Sequence, residues 1–123
     1  MDSILTSIKK MLGMTEDYTE FDTDLIIHIN SVFSALTQIG VGPPEGFMIE
    51  DESSEWNDFI GTESKWNFVK TYVYLKVRLL FDPPNSGSVI ESINNQIKEL
   101  EWRLFTEAEI TYRQVKEGLN EGD

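Results

Sequence analysis

The chain has 123 residues, 40% of them hydrophobic, which suits one domain with a real core and argues against wholesale disorder. Its formal charge is -12, from 22 acidic and 10 basic residues, so nucleic acid and anionic membranes repel it. It has no cysteine, which excludes a disulfide, a thiolate metal site and a thiol nucleophile.

The first helix is expected over residues 3–12. Ser3 is its N-cap, Ile4, Ile8, Met11 and Leu12 form its apolar stripe, and Gly13 closes it. The Met1-Asp2-Ser3 start lacks the basic flank and apolar run of a secretory leader. Residues 15–20 are polar and acidic and read as a linker.

A second helix begins at Asp22-Thr23-Asp24, where Asp or Thr can cap and the acids suit the positive end of the helix dipole. Leu25, Ile29, Val32, Leu36 and Ile39 share one face, widened by Ile26 and Phe33. Gly40 ends it, and Gly42-Pro43-Pro44 forbids continuation.

Residues 40–63 are the least regular stretch, and long loops in small domains are often functional. Phe47, Met48, Ile49, Trp56, Phe59 and Ile60 nevertheless need burial. A short strand is expected at 47–49, and one helical turn at 56–60 covering the bundle.

The third helix, from residue 64 to the stop at Asp82-Pro83-Pro84, has two apolar rows. One is Trp66, Val69, Val73, Val77 and Leu80; the other is Phe68, Tyr72, Leu75 and Leu79. A surface helix normally has one stripe, so the second row implies further helices or another copy of the chain. No run reaches the ~18–20 uninterrupted apolar residues of a membrane span; this richest one has Lys70, Lys76 and Arg78 within it. A soluble cytosolic protein is expected, with no membrane partner.

In the fourth helix, Ser88 and Glu91 are spaced as a capping box. Ile90, Ile93, Ile97, Leu100 and Leu104 follow as a coiled-coil-like seam. After Phe105 the pattern weakens, and Glu109-Ile110-Thr111-Tyr112-Arg113 alternates as a strand does. The fold expected is all-α: a small four-helix bundle over residues 1–105, with a flexible acidic tail over 106–123.

Catalytic chemistry is thinly provided. His28 is the only histidine, set among Ile26, Ile27 and Ile29, and reads as a partly exposed helix residue. The chain has no HExxH, P-loop, GxGxxG or Ser/His/Asp signature. Glu50-Asp51-Glu52 lacks EF-hand spacing and reads as a solvated acidic loop. Lys65, Lys70, Lys76 and Arg78 form either a basic stripe for an acidic neighbour or solvent-facing heads on apolar stems. No enzyme, metal or cofactor is expected.

The order of these elements, with Tyr72-Val73-Tyr74-Leu75-Lys76-Val77-Arg78-Leu79-Leu80-Phe81-Asp82-Pro83-Pro84 as its most specific part, resembles the small head–tail connector (head-completion) proteins of long-tailed bacteriophages. The resemblance covers roughly residues 1 to 105 and implies a structural role. Such subunits form a ring of roughly twelve or thirteen copies. The ring sits beneath the portal protein, receives the next head-completion or tail component, and lets the genomic DNA pass. It implies no cofactor and no catalytic residue. On this reading Phe68, Tyr72, Leu75 and Leu79 are the expected oligomer interface. Phe47, Met48, Ile49, Ile110 and Tyr112 are the expected docking contacts. The chain is then expected in the virion, after assembly in the host cytoplasm. Two alternatives remain open: an acidic DNA mimic that blocks a nucleic-acid-binding enzyme, and a small carboxylate-based metal enzyme.

Overall fold

The computed structural model describes residues 3–121, with side chains through residue 116. Five helices follow in order: α1 (Ile4–Met11), α2 (Asp22–Gln38), α3 (Trp56–Ile60), α4 (Val69–Phe81) and α5 (Gly87–Glu121). The described residues form no strand, so the fold is all-α.

Helix α1 starts and stops where local chemistry says it must. The Ser3 Oγ accepts the Thr6 N–H at 3.2 Å. At the other end Gly13 takes φ +86, Gly13 N–H donates to Lys10 O at 3.0 Å and Met14 N–H to Lys9 O at 2.8 Å, which is a Schellman closure. Helix α2 ends the same way. Gly40 has φ +91, and Val41 N–H donates to Leu36 O at 2.9 Å. Both Val41 and Leu36 are buried, giving the apolar contact that accompanies this motif.

The start of α2 differs from expectation. Its N-cap is Phe21, with no side-chain cap. The Asp22 carboxylate instead meets Lys9, with Nζ to Oδ1 at 3.0 Å. Lys9 is buried and also donates to Glu16 O at 3.0 Å. One lysine thus ties α1, the acidic linker and α2 together. A buried charge needs such partners, and removing either one strands the other.

The long loop folds back into the core. No strand forms at 47–49; the backbone polar groups of Ile49 are satisfied by a side chain instead. Ile49 N–H donates to Asn30 Oδ1 at 2.8 Å, and Asn30 Nδ2 donates to Ile49 O at 3.0 Å. Phe33 collects the loop aromatics, with Phe59 at 4.4 Å, Phe47 at 5.4 Å and Trp56 at 6.3 Å between ring centroids. The Trp56 Nε1–H donates to Ser7 Oγ at 2.8 Å, so α3 also grips α1. The expected turn at 56–60 is present as α3, held by a reciprocal Glu55/Asp58 capping box. Gly42, at φ +85, lies against the Phe59 ring; a Cβ there would come within 2.4 Å of it.

The third helix is shorter than its sequence pattern. Ser64–Trp66 is a 3-10 turn, and the α-helix proper starts at Val69. It stops at Asp82, whose φ -144 and ψ 68 lie outside the helical region that a following proline disfavours. Helix α5 is capped at Ser86 rather than Ser88, with Val89 N–H 3.5 Å from the Ser86 Oγ. It then runs unbroken across residue 105 to Glu121. The strand expected at 109–113 is therefore helix. Residues 122–123 of the expected tail lie outside the described residues, as do residues 1–2.

Helix α4 packs against both α2 and α5, and α1 against α2. The 3-4 seam of α5 is the inward face: Ile93, Ile97 and Leu104 are buried, and Ile90 and Leu100 half-buried. The packing continues past 105. Ala108 is buried, a Cβ on Gly40 would lie 3.4 Å from its Cβ, and Lys65 Nζ donates to Thr111 Oγ1 at 3.0 Å.

Candidate docking surfaces

The second row of α4 was expected to face another copy. The structure buries two of its four residues within the subunit. Tyr72 is 2% exposed and Leu75 6%, while Phe68 and Leu79 are half-buried. The first row is buried too, apart from Leu80 at 53%. Helices α2 and α5 cover most of both stripes within the chain, leaving Leu80 exposed and Phe68 and Leu79 half-buried. The Tyr72 phenol donates to Glu101 Oε2 at 2.9 Å, pinning α4 to α5. Burial, and then this bond to a carboxylate, push the Tyr72 pKa above its ordinary value.

The expected docking residues divide similarly. Ile49 is buried, and Phe47 is half-buried between Phe33 and Phe59. Both support the core, because loop aromatics here fill the space beside Phe33. Met48 is 73% exposed, and on α5 Tyr112 is 68% and Ile110 42% exposed.

The basic stripe is largely engaged within the chain. Lys65 Nζ lies 3.3 Å from Glu63 Oε2, Lys70 Nζ sits 6.0 Å from the Trp56 ring centroid, and Arg78 Nη1 donates to Tyr74 Oη at 3.2 Å. The acidic residues Glu50, Asp51 and Glu52 are exposed. Asp51 accepts hydrogen bonds from the Ser53 hydroxyl and from Ser53 N–H, which hold its pKa below the usual value. His28 is half-buried with its ring 6.3 Å from that of Phe81. Among the described residues, no group of three or more His, Asp or Glu side chains is placed to hold a metal ion, and no helix is long and apolar enough to cross a membrane.

What sequence reasoning missed is the outward face of α5. Trp102 is 70% exposed and Phe105 56%, in line with Tyr112. Their three-and-seven spacing is a readable helical signal, but it is visible only once the helix is known to continue past 105. A groove also runs along the outer face of α2. It is lined by Ile27, Ser31, Ser34 and Gln38, with Phe47 and Met48 on its loop side.

Exposed apolar seams and grooves on an all-α scaffold define a protein that offers surfaces for contact. A family model described as "Phage connector protein" matches residues 4–111. The match spans α1 to most of α5, so the chain belongs to the phage connector protein family. No curated protein and no solved structure matches the chain.

Proposed function

We propose that the chain is a non-enzymatic subunit of a head–tail connector ring. It sits at the head–tail junction of the virion, below the portal protein, and receives the next head-completion or tail component. The family match across nearly all of the helical scaffold carries this reading. The ring numbers roughly twelve or thirteen copies, as the resemblance implies, and assembles in the host cytoplasm. Met48, Ile110 and Tyr112 keep the exposure that docking requires.

The charge of -12 supports a conduit. Carboxylates around a channel repel phosphates, so the genome slides through without being held. Seven of the 22 acids fall in residues 45–63 and seven in α5, where their spacing is uneven, so they form no regular file along one helix. That distribution favours the connector over an acidic DNA mimic. Native mass spectrometry of the chain with purified portal tests the reading. A closed multimer stacked on portal is expected. Absence of any assembly, alone or with portal, over a broad concentration range rejects it.

A further inference from the structure

Helix α5 has a second seam. Lys98, Trp102, Phe105, Glu109, Tyr112 and Lys116 recur every three or four residues, the repeat of a helix–helix contact. The inward seam is covered by the bundle; this one is not. Its aromatic members are large and exposed, and lysines stand at both ends.

Helix α2 has the converse surface. Ile27, Ser31, Ser34 and Gln38 recur in steps of four, three and four, and all are exposed. The two central side chains, Ser31 and Ser34, are small, so another helix can approach closely there and seat bulky residues against them. The lengths agree. Ile27 to Gln38 is 11 positions and Trp102 to Tyr112 is 10, about 16 Å and about 15 Å along a helix. The charges agree as well. Glu45 lines the α2 groove, and Glu50 and Asp51 lie beside Met48 at its edge, opposite in sign to Lys98 and Lys116.

We infer that the outer seam of α5 in one copy docks into the α2 groove of a second copy. The inference rests on the connector reading and assigns its subunit contact. The seam and the groove are different surfaces of one chain that adjoin at Gln38, which lines a cleft with Phe105, Glu109 and Tyr112. Each copy thus offers a seam to one neighbour and a groove to the other. Such a contact is heterologous, and repeated by rotation it closes into a ring. Trp102, Phe105 and Tyr112 are the anchors, and the lysine–carboxylate pairs orient the approach.

The chain has no cysteine, so single cysteines report unambiguously. Ser34→Cys and Glu109→Cys variants are mixed and treated with a short thiol cross-linker. The mixture should yield cross-linked mixed dimers well above either variant alone and above Thr62→Cys, an exposed loop control. Trp102→Ala should weaken self-association roughly tenfold or more with the helical circular dichroism unchanged. A mixture no better than the control, equal cross-linking of Ser34→Cys with itself, or unaltered association of Trp102→Ala overturns the contact. If the wild-type chain assembles while the mixture stays uncross-linked, this contact falls and the connector reading stands. If the chain assembles neither alone nor with portal, the connector reading falls with it.

Discussion

Helices α4 and α5 both have two apolar stripes, and their fates differ. In α4 most of both rows is buried, with Leu80 exposed and Leu79 half-buried, because α2 and α5 flank it. In α5 one seam enters the core while Trp102, Phe105 and Tyr112 stay in water. The helices differ in length and in neighbours. Helix α4 has 13 residues and α5 has 35, about 20 Å against about 52 Å. A short central helix is surrounded; a long peripheral one is covered on one side only. Counting stripes therefore overstates the surface left for partners unless the position in the bundle is known.

The largest expected effects come from the covered stripes. Leu104→Ala and Leu75→Ala should each cost about 2–5 kcal/mol in urea unfolding, since both side chains are buried. A Leu75 variant as stable as wild type would put the second row of α4 outside the core and erase the contrast.

Next comes the link between the two helices. Tyr72→Phe removes the bond to Glu101 and should cost about 1.5 kcal/mol. It should also change the alkaline response. The unfolded phenol ionises near pH 10, whereas the folded one has a raised pKa. Above about pH 10 the unfolded state therefore holds fewer protons, and stability falls as pH rises. Chemical denaturation from neutral to alkaline pH should show a steeper decline in wild type than in Tyr72→Phe. Equal slopes would place the phenol in solvent.

Ser86→Ala should cost about 1 kcal/mol through the lost cap of α5, whereas Ser88→Ala should matter less; the reverse order would move the cap. The smallest effects belong to the outer seam. Trp102→Ala and Tyr112→Ala should shift the stability of the isolated subunit by no more than about 0.5 kcal/mol, measured in dilute solution. A large loss there would mean that the seam is already packed.

Much of the fold was legible because its signals are local. Ser3, Gly13 and Gly40 mark helix ends through bonds to residues three to five positions away. The 3-4 repeat located the inward seam of α5. The misread places all depend on distant partners. Asp22 looked like a cap, but it faces a buried lysine on another helix. Residues 47–49 looked like a strand, but Asn30, 19 positions away, serves the backbone of Ile49. The alternation at 109–113 is too short to separate a period of two from one of 3.6, and α5 resolved it by continuing. Of the docking residues, Met48, Ile110 and Tyr112 remain exposed, while Phe47 and Ile49 went to the loop's own packing.

By itself the sequence determined where α1 begins, where α1, α2 and α4 end, and which side chains are apolar. Caps, left-handed glycines and the Asp82-Pro83-Pro84 stop act within one turn of backbone. Only the tertiary structure decided which stripe is covered and which is offered. That outcome is set by which helices become neighbours, and hydrophobic burial has no preference between a partner in the same chain and one in another.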